Sequence, residues 1–275
     1  MLSRFGFLIV CVVLAVGSGA AQGVELFYQG HQGAAVGDVY DTVSNPGVFS
    51  LQAGLSYPGV ATSGQALFYS TGDAGASVSV AMSAAASAAM GPSGAGKTYY
   101  IAFLQQGRSG PRLFDTGAGG SGKKFTLNFD PGDSAARAFI EETSNAGEGS
   151  HEVCGACATP NAPNLWLMRV QNQGFGNDDI IDIVVNPDLS GGEPNWVSDG
   201  GGDGIQVTNR DITSPSDTGY ANLEWSPQGG FFGAENVRFD EFRLASSYDA
   251  AVPEPASMVL LGLGGLSLLA RRRRS

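Results

Sequence analysis

The octapeptide Gly91-Pro92-Ser93-Gly94-Ala95-Gly96-Lys97-Thr98 satisfies GxxxxGK[ST], the pattern in which backbone N–H groups and a lysine cradle nucleotide phosphates. A working loop of that kind follows a buried strand and opens a helix whose N-terminus faces the phosphate. Here the octapeptide follows an Ala/Ser tract and runs into the alternating stretch Tyr99 to Leu104, so its context argues against nucleotide binding. Cys154 and Cys157 stand as Cys-Gly-Ala-Cys, three residues after His151. A structural zinc site wants four ligands and these residues supply three. A redox pair belongs on a helix of a βαβ unit, which is missing around them. A local Cys154–Cys157 disulfide, formed in an oxidising compartment, is the expectation. Calcium is the cation best suited to the acidic, glycine-rich turns, because Asp and backbone carbonyls offer hard oxygen donors. Asp199 and Asp203 in Asp-Gly-Gly-Gly-Asp-Gly, and Asp178 with Asp179, are the candidate ligands, although turns use the same residues for geometry alone.

Glycan hydrolysis needs two carboxyl groups aimed into one cleft. The Glu-x-Asp-x-x-Glu arrangement that achieves this on a single strand does not occur in the chain. Glu141 and Glu142 are adjacent and point to opposite faces of a strand, and Asp240 and Glu241 stand where the strand alternation changes phase. No catalytic constellation is therefore assigned. Trp196, Trp225 and Tyr220, if exposed, could stack on sugar rings; in a sandwich such aromatics more often belong to the core.

The elements that must position these residues are strands. In Thr98 to Leu104 both alternating sets are apolar, which predicts a strand buried on both faces. Lys123 to Phe129 alternates Phe125, Leu127 and Phe129 with polar neighbours, as a half-exposed strand does. Leu165 to Val170, Asp179 to Val185, Ile205 to Ile212 and Val237 to Leu244 are expected to behave like it, each bounded by Gly, Pro, Asn or Asp turns. The phase change between Phe239 and Phe242 places a β-bulge at Asp240 and Glu241. Ala81 to Met90 could form a short helix, a loop or an edge strand. With 41 Gly, 13 Pro and only 15% charged residues, the composition is turn-rich and poor in residues that long surface helices favour. The predicted fold is all-β, an antiparallel two-sheet jelly-roll sandwich flanked by a hydrophobic helix at each end.

Those two ends direct export. Arg4, the apolar run Phe5 to Val16 and the small residues Gly17 to Ala21 read as a signal peptide over residues 1–23. An uncleaved anchor is the weaker reading, since so short a run scarcely crosses about 30 Å of hydrocarbon. The body then spans 24–251. Residues 252–275 comprise Pro253-Glu254-Pro255, a hydrophobic segment over 257–270 and the cluster Arg271, Arg272, Arg273 and Arg274. The arginines hold that end in the cytoplasm, so the body faces outward. In order and spacing these residues closely resemble the PEP-CTERM sorting signal, also known as the ice-binding-protein C-terminal motif. The resemblance implies processing by an exosortase near Pro-Glu-Pro, transient inner-membrane anchoring, and release to the cell envelope, cell surface or extracellular matrix.

Charge narrows the partners further. The net charge of the chain is −11, and the body keeps only ten of its 15 basic residues but 25 of its 26 acidic ones. Such a surface repels nucleic acid and anionic lipid and leaves neutral glycans, divalent cations or basic partners. The run Phe239-Asp240-Glu241-Phe242-Arg243-Leu244-Ala245-Ser246-Ser247-Tyr248 resembles the closing strand of concanavalin A-like, laminin-G-type jelly rolls. Thr98 to Leu104 and Ile183-Val184-Val185-Asn186-Pro187 are similar to two earlier strands of that sandwich. The expectation for function is an exported, exosortase-processed, non-enzymatic protein with a structural or carbohydrate-binding role in the exopolysaccharide layer. Its alternative is a secreted carbohydrate-active hydrolase with an unrecognised carboxylate pair.

Overall fold

A computed structural model describes residues 23–30, 49–62, 64–69, 78–107, 110–114, 124–129, 136–141, 149–154, 161–174, 179–196, 204–210, 220–226 and 237–253. Its strands are β1 (Glu25–Gln29), β2 (Phe49–Ala53), β3 (Gln65–Tyr69), β4 (Val78–Ala81), β5 (Thr98–Gln106), β6 (Gly110–Phe114) and β7 (Lys124–Phe129). They continue as β8 (Ala136–Glu141), β9 (Gly149–Cys154), β10 (Asn164–Gln171), β11 (Asp179–Val185), β12 (Gly204–Arg210), β13 (Asn222–Ser226) and β14 (Val237–Ala245). An eight-stranded sheet runs β12-β11-β10-β5-β14-β3-β2, with β1 also on β14, and a six-stranded sheet runs β4-β13-β6-β7-β8-β9. Every pairing is antiparallel. This is the expected two-sheet β-sandwich.

The core between the sheets is aromatic. From β13 of the six-stranded sheet, Trp225 stacks on Phe239 at 4.7 Å between ring centroids and meets Phe242 edge-on at 5.9 Å, both on β14 of the other sheet. Phe103 on β5 stacks on Trp166 of β10 at 5.9 Å. Offset and edge-on aromatic pairs of this kind add about 0.5–1.5 kcal/mol beyond the area they bury. Trp225 and Tyr220 are fully buried here and Trp196 is buried in a second cluster, so none of the three is an exposed sugar platform.

The strands β10, β11 and β14 differ from the half-exposed strands expected of them, since both faces of each are buried. The reason is a second apolar cluster on the outer face of the large sheet. Leu165 and Leu167, Ala102 and Leu104, Val184 and Ala245 pack there under Leu55, Trp196, Tyr248, Ala251 and Val252. Three irregular segments, 54–62, 186–196 and 246–253, form this cover and are tied pairwise. Tyr57 donates to the Pro187 carbonyl at 3.2 Å, Tyr248 to the Gly192 carbonyl at 3.1 Å, and the Ala61 N–H to the Pro253 carbonyl at 3.2 Å.

The predicted bulge is present. Between Asp240 and Arg243 the register on β5 shifts, and Glu241 takes the left-handed φ of 55°. Asp240 Oδ2 accepts the Leu55 N–H at 2.8 Å, and Glu241 Oε2 accepts Tyr28 Oη and Arg243 Nη2, each at 2.9 Å. Both carboxylates are buried and spent on joining β14 to its neighbours. The Ala-rich tract resolves into a helix, Ala84–Ala89, because Ser83 caps it by accepting the Ala86 N–H at 3.1 Å.

Candidate functional site

The phosphate-loop octapeptide folds as a structural turn. Its helix precedes it, a single 3-10 turn occupies Pro92–Gly94, and the chain enters β5 directly. Asn172, wholly buried at the end of β10, donates Nδ2 to the carbonyls of Ala89 and Gly91, each at 3.0 Å. The Asn172 backbone exchanges bonds with Gly96 and Lys97 at 2.7 and 3.0 Å. A Cβ on Gly94 would overlap the Ala89 carbonyl oxygen, so glycine is needed for close packing. Lys97 Nζ donates to the Ser93 carbonyl of the same turn. The N–H groups of Gly94, Gly96 and Lys97 bond the carbonyls of Gly91, Asn172 and Gly94, so these amides are spent on the protein itself and are not turned to a phosphate.

Of the other sequence candidates, Asp179, Cys154 and Pro253 fall among the described residues. Asp179 is wholly buried, and its Oδ1 accepts the Gln173 N–H at 2.7 Å. Asp178, Asp199, Asp203 and Cys157 lie outside the described residues, as do Glu254, Pro255 and Arg271 to Arg274. Cys154 ends β9, opposite Ala136. Among the described residues no group of three or more His, Cys, Asp or Glu side chains could hold a metal ion.

A polar site does exist, on the outer face of the large sheet. One cross-strand row runs Gln206 on β12, Asp182 on β11, Arg169 on β10 and Tyr100 on β5, each directly opposite the next. Asp182 is wholly buried; its Oδ2 accepts Arg169 Nε at 2.9 Å and Nη2 at 2.8 Å, and its Oδ1 accepts Gln206 Nε2 at 2.7 Å. The Arg169 guanidinium lies over the Trp196 ring, 5.3 Å from its centroid. Trp196 Nε1 donates to Glu193 Oε1 at 2.6 Å. Burial raises the Tyr100 hydroxyl above its ordinary pKa, and the charge of Glu193 beside it adds to the rise.

Arg169, Glu193, Pro194, Asn195 and Trp196 line an open cleft of about 340 Å³. That is at the lower end of ligand-sized pockets, about 300–1,000 Å³. A guanidinium held by a buried carboxylate and backed by an indole is a preorganised donor, and Glu193 is an exposed acceptor beside it. The pair can grip a neutral ligand bearing neighbouring hydroxyl groups. The sequence signal that could have found it is the single arginine, Arg169, in Leu165 to Val170 and the internal aspartate, Asp182, flanked by isoleucines in Asp179 to Val185, two opposite charges each set among apolar neighbours.

At the C-terminus the body leads straight into residues 251–274, which match the PEP-CTERM protein-sorting motif. The chain carries that sorting signal. It marks an exported protein, sorted to the cell surface and processed by an exosortase. Among the described residues no helix is long and apolar enough to cross a membrane; residues 1–22 and 254–275, which hold both hydrophobic segments, lie outside them. No curated protein matches the chain.

Solved structures similar to the body include the receptor-binding domain of botulinum neurotoxin D, at 8% identity and a TM-score of 0.46 over 82% of this chain and 49% of that one. The bifunctional GH43-CE protein of Bacteroides eggerthii is similar at 10% identity and a TM-score of 0.37, over 66% of this chain and 22% of that one. The CBM40 of the Ruminococcus gnavus IT-sialidase, solved with alpha2,6 sialyllactose, is similar at 11% identity and 0.35, over 56% of this chain and 79% of that one. The chain thus spans less than half the length of the first two.

Proposed function

We propose that the mature body is a non-enzymatic protein of the exopolysaccharide layer, and that it holds extracellular polysaccharide through the cleft of Arg169, Glu193, Asn195 and Trp196. The observation that carries this reading is the Arg169 guanidinium, fixed by Asp182 beneath and Trp196 beside it, on an exported acidic β-sandwich. Asp182 engages Nε and Nη2, which leaves Nη1 for a ligand hydroxyl in the cleft that Arg169 lines. Glu193 would accept a second hydroxyl, and the acidic surface favours a neutral sugar over an anionic one. Hydrolysis is not part of the reading. Of the two carboxylates flanking Arg169, Asp182 is buried and bonded through both oxygens, which suits a positioning role rather than proton transfer to a glycosidic oxygen.

Binding of the exported protein to a glycan array and to the polymer of its own cells tests this, with Glu193→Ala and Asn195→Ala as cleft variants. Retention by a neutral glycan, weakened tenfold or more in the double variant, is the expected result. Running the assay with and without calcium separates the cleft from the Asp199 and Asp203 turn. Absence of binding to any glycan would remove the recognition role and leave a structural one.

A further inference from the structure

The cleft residues Glu193 to Trp196 stand on one irregular stretch that leaves the 3-10 turn Leu189–Gly191. The chain bends at Gly192, whose φ of 85° is open to glycine without strain. A stretch outside the strand ladders keeps its shape through what packs against it. The segment 246–253 supplies that support at two points, the bend and the rear wall of the cleft.

Ser247 caps a helical turn, Tyr248–Ala251, by accepting the Ala250 N–H at 3.3 Å, and the Val252 N–H bonds the Tyr248 carbonyl at 2.8 Å. Ala251 and Val252 are buried in the outer cluster with Leu55, Ala102 and Leu104, so the turn presents Tyr248 from an apolar anchorage. At the bend, Tyr248 Oη donates to the Gly192 carbonyl at 3.1 Å, one residue before Glu193. At the rear wall, the Tyr248 ring meets Tyr100 edge-on at 6.4 Å, and Tyr100 lies against Trp196 at 6.1 Å. Trp196 in turn backs the Arg169 guanidinium and donates to Glu193. Burial raises the Tyr100 and Tyr248 phenols, and the charge of Glu193 raises both further, which places that carboxylate beside the two rings.

We propose that Tyr248 is a positioning residue for the cleft, and that seating of the segment 246–253 and the grip of the cleft are coupled. With the segment seated, Glu193 and Trp196 are held against Arg169; with it lifted, the bend at Gly192 is released and the acceptor beside the guanidinium loses its fixed place. Linkage between the two is reciprocal, so an occupied cleft holds the segment down in its turn. The inference rests on the carbohydrate-holding reading of the cleft and adds a control to it: the site is complete only in a body whose C-terminal segment is docked.

Two tyrosine variants separate a strut under the cleft from a general loosening of the cover. Tyr248→Phe keeps the ring against Tyr100 and drops the bond to Gly192, whereas Tyr57→Phe drops a bond of the same kind, to the Pro187 carbonyl at 3.2 Å, at the far end of the same loop. The readout is solvent exchange of the Trp196 indole N–H in the 15N-labelled exported protein, its signal assigned as the one missing from Trp196→Phe. Exchange there should quicken about fivefold in Tyr248→Phe, the factor for one ordinary hydrogen bond, and change less than about twofold in Tyr57→Phe. Trp166 and Trp225 should be unmoved in both. Val252→Asp, which unseats the turn and leaves Tyr248 and the cleft residues in place, should quicken Trp196 more than Tyr248→Phe does. Equal acceleration in the two tyrosine variants, or none at Trp196 in Tyr248→Phe, overturns the inference. Retention on dextran, on galactomannan and on polymer from its own cells reads the grip: it should weaken about fivefold in Tyr248→Phe and hold in Tyr57→Phe, and equal retention by wild type and Tyr248→Phe overturns the coupling. Should the wild type be retained by none of them, the carbohydrate reading is what fails, and the indole exchange still decides whether Tyr248 holds the cleft.

Discussion

Arg169 and Asp182 face each other across adjacent strands, and two nitrogens of the guanidinium, Nε and Nη2, converge on the single oxygen Oδ2 of the aspartate. The Asp182 side chain is 0% exposed and that of Arg169 is 23% exposed, so the two single substitutions are unequal. Arg169→Met leaves a buried carboxylate with only Gln206, and it should cost about 3–5 kcal/mol in urea unfolding, the range for breaking a buried ion pair. Asp182→Leu leaves an arginine that can still reach water and should cost less. The double variant replaces both charges by apolar groups of similar volume and should recover much of the loss. Strict additivity of the two single effects would show that the pair is not coupled.

Much of this architecture was legible in the chain, and the unreadable part has a definite cause. Period-2 alternation located β5, β7, β10, β11, β12 and β14, and the phase change at Asp240 and Glu241 gave the bulge, because strand periodicity is local. Full burial of β10, β11 and β14 was not legible, since the cover comes from 54–62, 186–196 and 246–253, far apart in sequence. The burial of Trp196 agrees with the core placement expected of aromatics in a sandwich, but the cover that buries it could not be read. The cleft depends on register: Arg169 and Asp182 are 13 residues apart and meet only because β10 and β11 pair Trp166 with Val185. The helix at Ala84–Ala89 turned on Ser83, whose capping role competes with the loop that Ser and Gly also favour.

The Asn172 amide bears on whether the glycine-rich octapeptide is structural. Asn172→Ala removes the donor to Ala89 and Gly91 and the acceptor of the Gly174 N–H at 2.8 Å, all in a buried setting. With unsatisfied buried groups costing about 1–3 kcal/mol each and some relaxation, the loss should be about 2–4 kcal/mol. Lys97→Ala removes one exposed contact to Ser93 and should change stability by less than about 0.5 kcal/mol. Equilibrium dialysis should detect no ATP or GTP on the wild-type protein; nucleotide retained by the wild type and lost in Lys97→Ala would overturn the structural assignment.

Alkaline stability reports on the cover over the second core. Burial pushes the Tyr248 phenol up to about 12, with the carboxylates of Glu193 and Asp249 adding to the rise. Tyr100 is raised in the same direction by burial and by Glu193. An unfolded tyrosine titrates near its ordinary value of about 10, so above that pH the unfolded chain loses protons that the folded chain keeps. The stabilisation is complete below about pH 10 and is lost as pH climbs through the folded value of about 12. The urea midpoint should accordingly hold level to about pH 9.5 and fall beyond it. Tyr248→Phe gives up the bond to the Gly192 carbonyl, about 1 kcal/mol at neutral pH, but has no proton to lose. Its midpoint should start lower and fall less steeply above pH 10, with Tyr57, Tyr99 and Tyr100, all raised by burial, carrying what slope remains; an alkaline slope identical to wild type would show that Tyr248 does not hold this cover in its protonated form.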